Sequence, residues 1–270
     1  MLSDDTARGF YFALWAFLIY SFLGVVVEMV FCYAKQYRGV IESRCGLLYL
    51  PLSPIYGFGG VAVSVFLLPH VDDPVGLFFL AMAVCTVLEY VASFVMEKLF
   101  GTVFWDYSDR PLNLQGRICL QYTIYWGILG LLLVYVLDPA VADLIQAMPL
   151  PGAAYLLAVL IVLTLLSVVL TLLAFRRFDQ KVAYLKAQRD GRPLPPIDTR
   201  VGRLVDRLVP DVVMINTFPR MSHLVDYMEL TGERRKLIVA DLHLGTPTER
   251  HLRHNEALAR ARATEGIAAG

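Results

Sequence analysis

The sequence lacks several features that would settle a function at once. Its four cysteines, Cys32, Cys45, Cys85 and Cys119, include no CxxC pair, so a disulfide framework is not expected. There is no G-x-x-x-x-G-K-[ST] segment, hence no loop to cradle nucleotide phosphates. Net charge is zero, with Lys+Arg 24 against Asp+Glu 24, so overall charge points to neither an acidic nor a basic partner, and no nucleic acid is expected. No side chains form a nucleophile-and-base pair or a ligand set of metal spacing. No catalytic residue, metal or cofactor is therefore expected, and the chain reads as a non-enzyme.

Apolar residues are what the chain has in excess. They make up 57% of it, against roughly half in soluble domains, and they come in long runs. About 20 apolar residues cross the hydrocarbon core of a bilayer. By that measure the sequence predicts five spans, at about 10–33, 51–68, 75–99, 118–137 and 152–175, the fourth ended by Asp138 and Pro139. The flank Met1 to Arg8 has two aspartates, one arginine and no basic n-region, so the first span reads as an anchor rather than a removed signal peptide.

Charge along the chain gives the orientation. Short cytoplasmic loops are enriched in Lys and Arg. Lys35, Arg38 and Arg44 follow the first span, Arg110 and Arg117 follow the third, and Arg176 and Arg177 follow the fifth, whereas 69–74 and 138–151 contain neither residue. The expected fold is an all-α polytopic membrane bundle with the N-terminus out and the C-terminus in. Residues 1–175 form its transmembrane domain. Residues 176–270 form a partly helical, basic, amphipathic cytoplasmic tail, since 17 of the 24 basic residues lie beyond Phe175. Within it, Arg176 to Asp190 continues the fifth span or lies on the anionic inner leaflet, a short helix runs from Val201 to Leu208, and Met214 to Leu230 is helical.

The chain is organised around residues 88–120, which leave an apolar helix, form an aromatic and polar loop and re-enter the apolar phase at Arg117. A charge facing lipid costs at least about 2.5–3.5 kcal/mol, so a carboxylate within a span faces protein, a partner or water. Glu28, Glu89 and Glu97 are the three. Tyr20, Gly24 and Glu28 share one helical stripe, and Glu89, Ser93 and Glu97 share another. With Arg44 and Arg117 they form a candidate polar cluster, which either lines a pathway for a cationic or polar substrate or pairs internally to hold the helices in register. Glu89 is the sharper candidate, lying about ten residues, roughly 15 Å, from its helix end.

Two loops flank that cluster. In 101–116, Trp105, Asp106, Tyr107 and Asn113 are candidate contacts of a compact re-entrant or surface-lying segment, or interfacial anchors. In 47–60, Pro51 and Pro54 interrupt regular hydrogen bonding, Tyr56 follows, and Gly57, Gly59 and Gly60 allow close backbone approach, so this segment borders the same cavity. On the fifth span Thr164, Ser167 and Thr171 recur at i, i+3 and i+7, suited to hydrogen bonding across a helix interface within or between subunits. The tail segment Lys236 to Gly245 looks like the first metal-binding block of metallophosphoesterases. One such segment, with Glu249, His251 and His254 after it, cannot build the surrounding sheets, and no metal site is expected there.

Several of these blocks are familiar together. Tyr20-Ser21-Phe22-Leu23-Gly24 with Glu28, Pro54-Ile55-Tyr56-Gly57-Phe58-Gly59, Leu88-Glu89-Tyr90 with Met96-Glu97-Lys98-Leu99-Phe100, Trp105-Asp106-Tyr107-Ser108, and Asn113 to Leu120 occur in that order. The combination, over about residues 10–140, resembles the bacterial type IV ABC-transporter permease family; Leu50, where glycine is expected, and Gln115 depart from its pattern. The resemblance implies a multi-pass protein of the bacterial cytoplasmic membrane engaged in transport, a separate ATPase subunit docking on 35–46 and 101–116, and a homo- or hetero-oligomer. The alternative is a membrane scaffold or regulatory subunit that recruits partners through its loop and tail.

Overall fold

The computed structural model describes residues 4–36, 46–68, 73–101, 103–218, 221, 227 and 230. The chain is helical almost throughout: α1 (Asp4–Gln36), α2 (Pro54–Val61), α3 (Pro74–Phe100), α4 (Leu120–Leu132), α5 (Asp138–Ala147), α6 (Leu150–Arg189), α7 (Arg200–Leu208) and α8 (Asp211–Thr217). The only ladder among the described residues is a two-residue antiparallel pair, β1 (Asn113–Leu114) with β2 (Ile118–Cys119), in the loop after α3. Four helical segments are long and apolar enough to cross a membrane: Thr6–Val30, Pro74–Phe100, Leu120–Ala147 and Leu150–Arg189. The fold is that of a membrane helical bundle.

The second expected span differs. Its helix begins at Pro54, the position where a missing N–H is harmless, and passes at Ala62–Leu67 into a π-helical stretch. The whole of it reaches only about 20 Å, short of the roughly 30 Å of hydrocarbon. Within the π-helical stretch the hydroxyl of Ser64 donates to the Asp138 carboxylate.

Asp138 and Pro139 do not end the fourth span. A second π-helical stretch, Leu133–Leu137, joins α4 to α5, and the Asp138 N–H bonds to the Leu133 carbonyl five residues back. The wider turn accommodates Pro139 without breaking the rod, and the helix continues to Ala147. α6 likewise continues past the apolar run to Arg189 and ends before Gly191, whose φ of 64° is left-handed. The expected helix at Val201 to Leu208 matches α7. α8 ends at Thr217, and most of the helix expected at Met214 to Leu230 lies outside the described residues, as do Arg44 and all of 236–254.

Two apolar clusters mark the ends of the bundle. At one, Trp15, Leu18, Val141, Ile145 and Leu157 bring the first half of α1 against α5 and the start of α6. At the other, Leu48, Phe100, Phe104, Phe175, Phe178 and Phe218 join the chain before α2, the loop after α3, the late part of α6 and the tail. Between them α1 packs mainly on α2, and α3 mainly on α4. A Cβ at Gly24 would strike the Tyr56 ring, and one at Gly130 would strike Ala81, so both pairs depend on glycine for their spacing.

Irregular backbone at membrane depth is tolerated only inside protein. Residues 46–53 meet that condition through α6. Ser167 Oγ donates to the Leu48 carbonyl at 2.5 Å, and the Leu48 N–H donates to Thr171 Oγ1 at 3.0 Å, with Leu48 fully buried. The hydroxyl stripe of the fifth span is thus used within the chain. Thr164 instead bonds its own helix, to the Leu160 carbonyl.

Candidate polar site at the loop end of the bundle

Glu89 lies on the buried face of α3 with Cys85 and Ser93 one turn to either side. Both its oxygens accept hydrogen bonds: Oε1 from the Tyr107 hydroxyl at 3.0 Å and Oε2 from the Trp126 indole N–H at 2.9 Å. Tyr107 comes from the loop after α3 and Trp126 from α4. One carboxylate therefore joins two helices and the loop. Tyr107 also stacks on Tyr122, with centroids 4.6 Å apart and planes 18° apart. Burial, then the Glu89 charge, holds its phenol well above the ordinary tyrosine range.

One turn further along, Arg117 makes a second junction. Its guanidinium pairs with Glu97 at 2.5 Å and donates to Ser93 Oγ at 3.3 Å. The Tyr90 and Phe94 rings flank it at 5.9 and 5.5 Å. The Arg117 carbonyl accepts from the Trp105 indole at 3.0 Å, and Tyr90 donates to Gln115 at 2.8 Å. Four polar side chains of α3, at 89, 90, 93 and 97, thus reach the same loop.

The loop is also braced internally. The Tyr107 N–H donates to the Gly116 carbonyl at 2.7 Å, while Asn113 donates to the Arg110 carbonyl and accepts from the Gly116 N–H. Asp106 accepts from the Ser108 backbone and hydroxyl. Gly116, at φ 69°, leaves no room for a side chain between Asp106 and Ser108. Residues 103–119 form a compact hairpin tied down onto α3.

Of the expected cluster, Ser93, Glu97 and Arg117 come together, Glu89 is bonded by Tyr107 and Trp126, Glu28 lies on α1, and Arg44 falls outside the described residues. Glu28 lines a cleft of about 360 Å³ with Tyr56, Tyr122, Tyr125 and Trp126. Trp126 belongs to both places, one side lining the cleft and its N–H reaching Glu89. Pro51 lies in the irregular chain before α2, Pro54 starts the helix, Gly57 packs on Phe17 and Ser21, and Tyr56 lines the cleft.

The sequence reading missed two groups. Tyr122, Tyr125 and Trp126 form an aromatic stripe at i, i+3 and i+4 that was legible as one face of the fourth span. Asp138 accepts from both Tyr20 and Ser64, knotting α1, the first π-helical stretch and α5. It was hidden because Asp-Pro after an apolar run has the pattern of a helix stop.

The family model described as "Putative ABC-transporter type IV" matches residues 15–172, which hold the bundle, the hairpin and the cleft. The chain belongs to that family. The match to the type IV ABC-transporter family stops before the α6 extension and the tail helices. No curated protein and no solved structure matches the chain.

Proposed function

We propose that the chain is a permease-like membrane subunit of an ATP-driven transporter in a bacterial cytoplasmic membrane. The N-terminus is outside, and the hairpin and residues 176–270 are in the cytoplasm. Hydrolysis belongs to a separate ATPase, since the sequence has no phosphate-binding loop. Family membership supports the class of function. The observation that carries the mechanism is the attachment of the hairpin: Glu89, Tyr90, Ser93 and Glu97 of α3 all bond to residues 107–117. A loop so attached moves with its helices, so a push on it is passed to α3 and α4. Exposed Leu112 and Leu114 at its tip supply apolar contacts for such a partner.

The test is ATP-driven flux in vesicles holding the chain and its partner, wild type against Glu89→Gln. The Gln amide can still accept from Trp126 while the Tyr107 hydroxyl turns to accept from its NH₂, so the charge goes and the shape stays. Flux is expected to fall in a fully inserted variant; unchanged flux would remove the cluster from the pathway.

A scaffold or regulatory role is the second reading, favoured by the tail. Arg177 grips Asp206 through Nε and Nη2 at 2.7–3.2 Å, and Lys181 bridges Asp206 and Asp211 at 2.7 and 2.6 Å. These bonds seat α7 and α8 on α6. α7 then exposes Val201, Leu204 and Leu208 together with Arg200, Arg203 and Arg207, a face suited to an anionic leaflet or a recruited protein. This reading predicts that Glu89→Gln leaves partner binding intact while changes on α7 abolish it.

A further inference from the structure

We infer that α7 docks on an anionic lipid leaflet, with its apolar ridge among the upper acyl chains and its arginines among the headgroups. Its depth comes from α6. The apolar run of that helix ends at Phe175 and gives way to Arg176 and Arg177, the point where a spanning helix leaves the hydrocarbon. α7 is seated on this border. Val205 and Val209 are buried in one cluster with Ala174, Phe175, Phe178 and Val182. Gly202 lies so close to Arg177 that a Cβ there would strike the guanidinium, which also donates to the Ile197 carbonyl just before the helix. A second tether comes from the chain before α2. The Tyr49 hydroxyl donates to the Leu208 carbonyl at 2.6 Å, and the neighbouring Leu48 backbone is bonded to Ser167 and Thr171, inside the apolar run of α6. Tyr49 is itself exposed, as an aromatic residue of a headgroup belt is.

The face left uncovered has the composition of such a surface. Val201, Leu204 and Leu208, at i, i+3 and i+7, are 59, 55 and 50% exposed. Arg200, Arg203 and Arg207 repeat that spacing one residue earlier, about 100° round the helix, and are exposed as well. Asp206, the one acidic residue of α7, is turned to Arg177 and Lys181, which leaves the outer face basic. Arg203 meets Asp198 in an ion pair exposed on both sides, a kind that contributes little. Arg200 and Arg207 have no ion pair among the described residues. A neutral leaflet would cover the ridge and give the arginines nothing. A nucleic acid would do the reverse. An anionic leaflet satisfies both, and lipid already stands at the depth where α6 and Tyr49 hold the helix.

The inference deepens the second reading by naming what the α7 face meets, and rests on that reading only for the step from docking to recruitment. The test uses the full chain with Leu204→Trp in nanodiscs of phosphatidylglycerol or phosphatidylcholine, each with and without bromine on the acyl chains, the wild-type signal being subtracted. The added indole is expected to emit to the blue and to be quenched by bromine at least about twofold more in phosphatidylglycerol than in phosphatidylcholine. Arg200→Gln, Arg203→Gln and Arg207→Gln together are expected to remove that excess. Quenching by acrylamide instead of bromine shows a face in water and overturns the inference. Protection from both quenchers shows a face covered by protein, from this chain or another, and overturns it too. Equal bromine quenching in the two lipids, or an excess unchanged in the triple arginine variant, does the same. If Leu204→Trp melts below the wild type, hydrogen exchange of 194–212 in the wild-type chain decides: slower exchange in phosphatidylglycerol than in phosphatidylcholine supports docking, and equal exchange overturns it. A lipid-docked α7 in a chain that recruits no partner contradicts the scaffold reading alone. Recruitment of a partner with α7 in water contradicts this inference alone.

Discussion

Glu89 and Trp126, on neighbouring helices 37 residues apart in sequence, are joined by a 2.9 Å hydrogen bond from indole to carboxylate, while the other Glu89 oxygen holds Tyr107. Replacing Glu89 by Leu leaves two donors without their acceptor, each costing about 1–3 kcal/mol where buried. Glu89→Leu should therefore lower the melting temperature and speed amide exchange in 103–119, while Glu89→Gln should do little of either. Thermal unfolding in detergent and hydrogen-exchange mass spectrometry check both. Equal destabilisation by Leu and Gln would show that the two bonds contribute little.

Glu97 should behave differently, although it sits on the same stripe. Its side chain is 36% exposed, and half-exposed ion pairs contribute about 0.2–1 kcal/mol. Glu97→Gln should cost less than about 1 kcal/mol. Arg117→Lys should cost more than that, because lysine has neither the fork that reaches Ser93 and Glu97 together nor the flat face set beside Tyr90 and Phe94. Comparing the two melting curves decides the order.

Ser167 and Thr171 anchor the buried Leu48 backbone. Ser167→Ala combined with Thr171→Val leaves a carbonyl and an N–H unbonded, for about 1–3 kcal/mol each. The double variant should melt earlier and keep the oligomeric state of the wild type, as light scattering would show. Dissociation into smaller species without loss of stability would instead place the hydroxyl stripe at a subunit interface.

The seating of the tail should survive mild acid. Hydrogen bonds from Arg177, then those from Lys181, hold the Asp206 carboxyl below its ordinary value. A lowered folded-state pKa gives stability that is present above the unfolded value of about 3.9 and lost as the pH falls through the folded one. Proteolysis in 190–199 should therefore be unchanged between about pH 7 and 5 and should rise in Arg177→Gln at either pH. Cleavage that increases across that interval in the wild type would contradict the role given to Asp206.

These outcomes also show how far the sequence alone could be read. The long apolar runs announce α1, α3, α4 and α6, because a chain in lipid has few ways to satisfy its backbone and helix is the simplest. Length fails at 54–67, where the same apolar composition builds a short helix with a π-helical end, packed chiefly on α1. Charge on a helical face locates Glu89 and Ser93 but not their partners. Tyr107, 18 residues away, is brought to Glu89 by turns at Gly101, Leu112, Gln115 and Gly116, all with positive φ, two of them at residues whose type gives no hint of it. The aromatic stripe Tyr122, Tyr125 and Trp126 is visible on the fourth span, but the cleft it forms with Glu28 and Tyr56 needs three helices at once.

The central claim, a membrane subunit driven by an ATPase in trans, is tested most directly by purifying the tagged full chain from native membranes and measuring ATP hydrolysis. The account predicts a phosphate-binding-loop protein in stoichiometric amount, with vanadate-sensitive hydrolysis that Leu112→Asp with Leu114→Asp removes while the bundle melts unchanged. An intact chain that purifies with no such protein and no hydrolysis would contradict it.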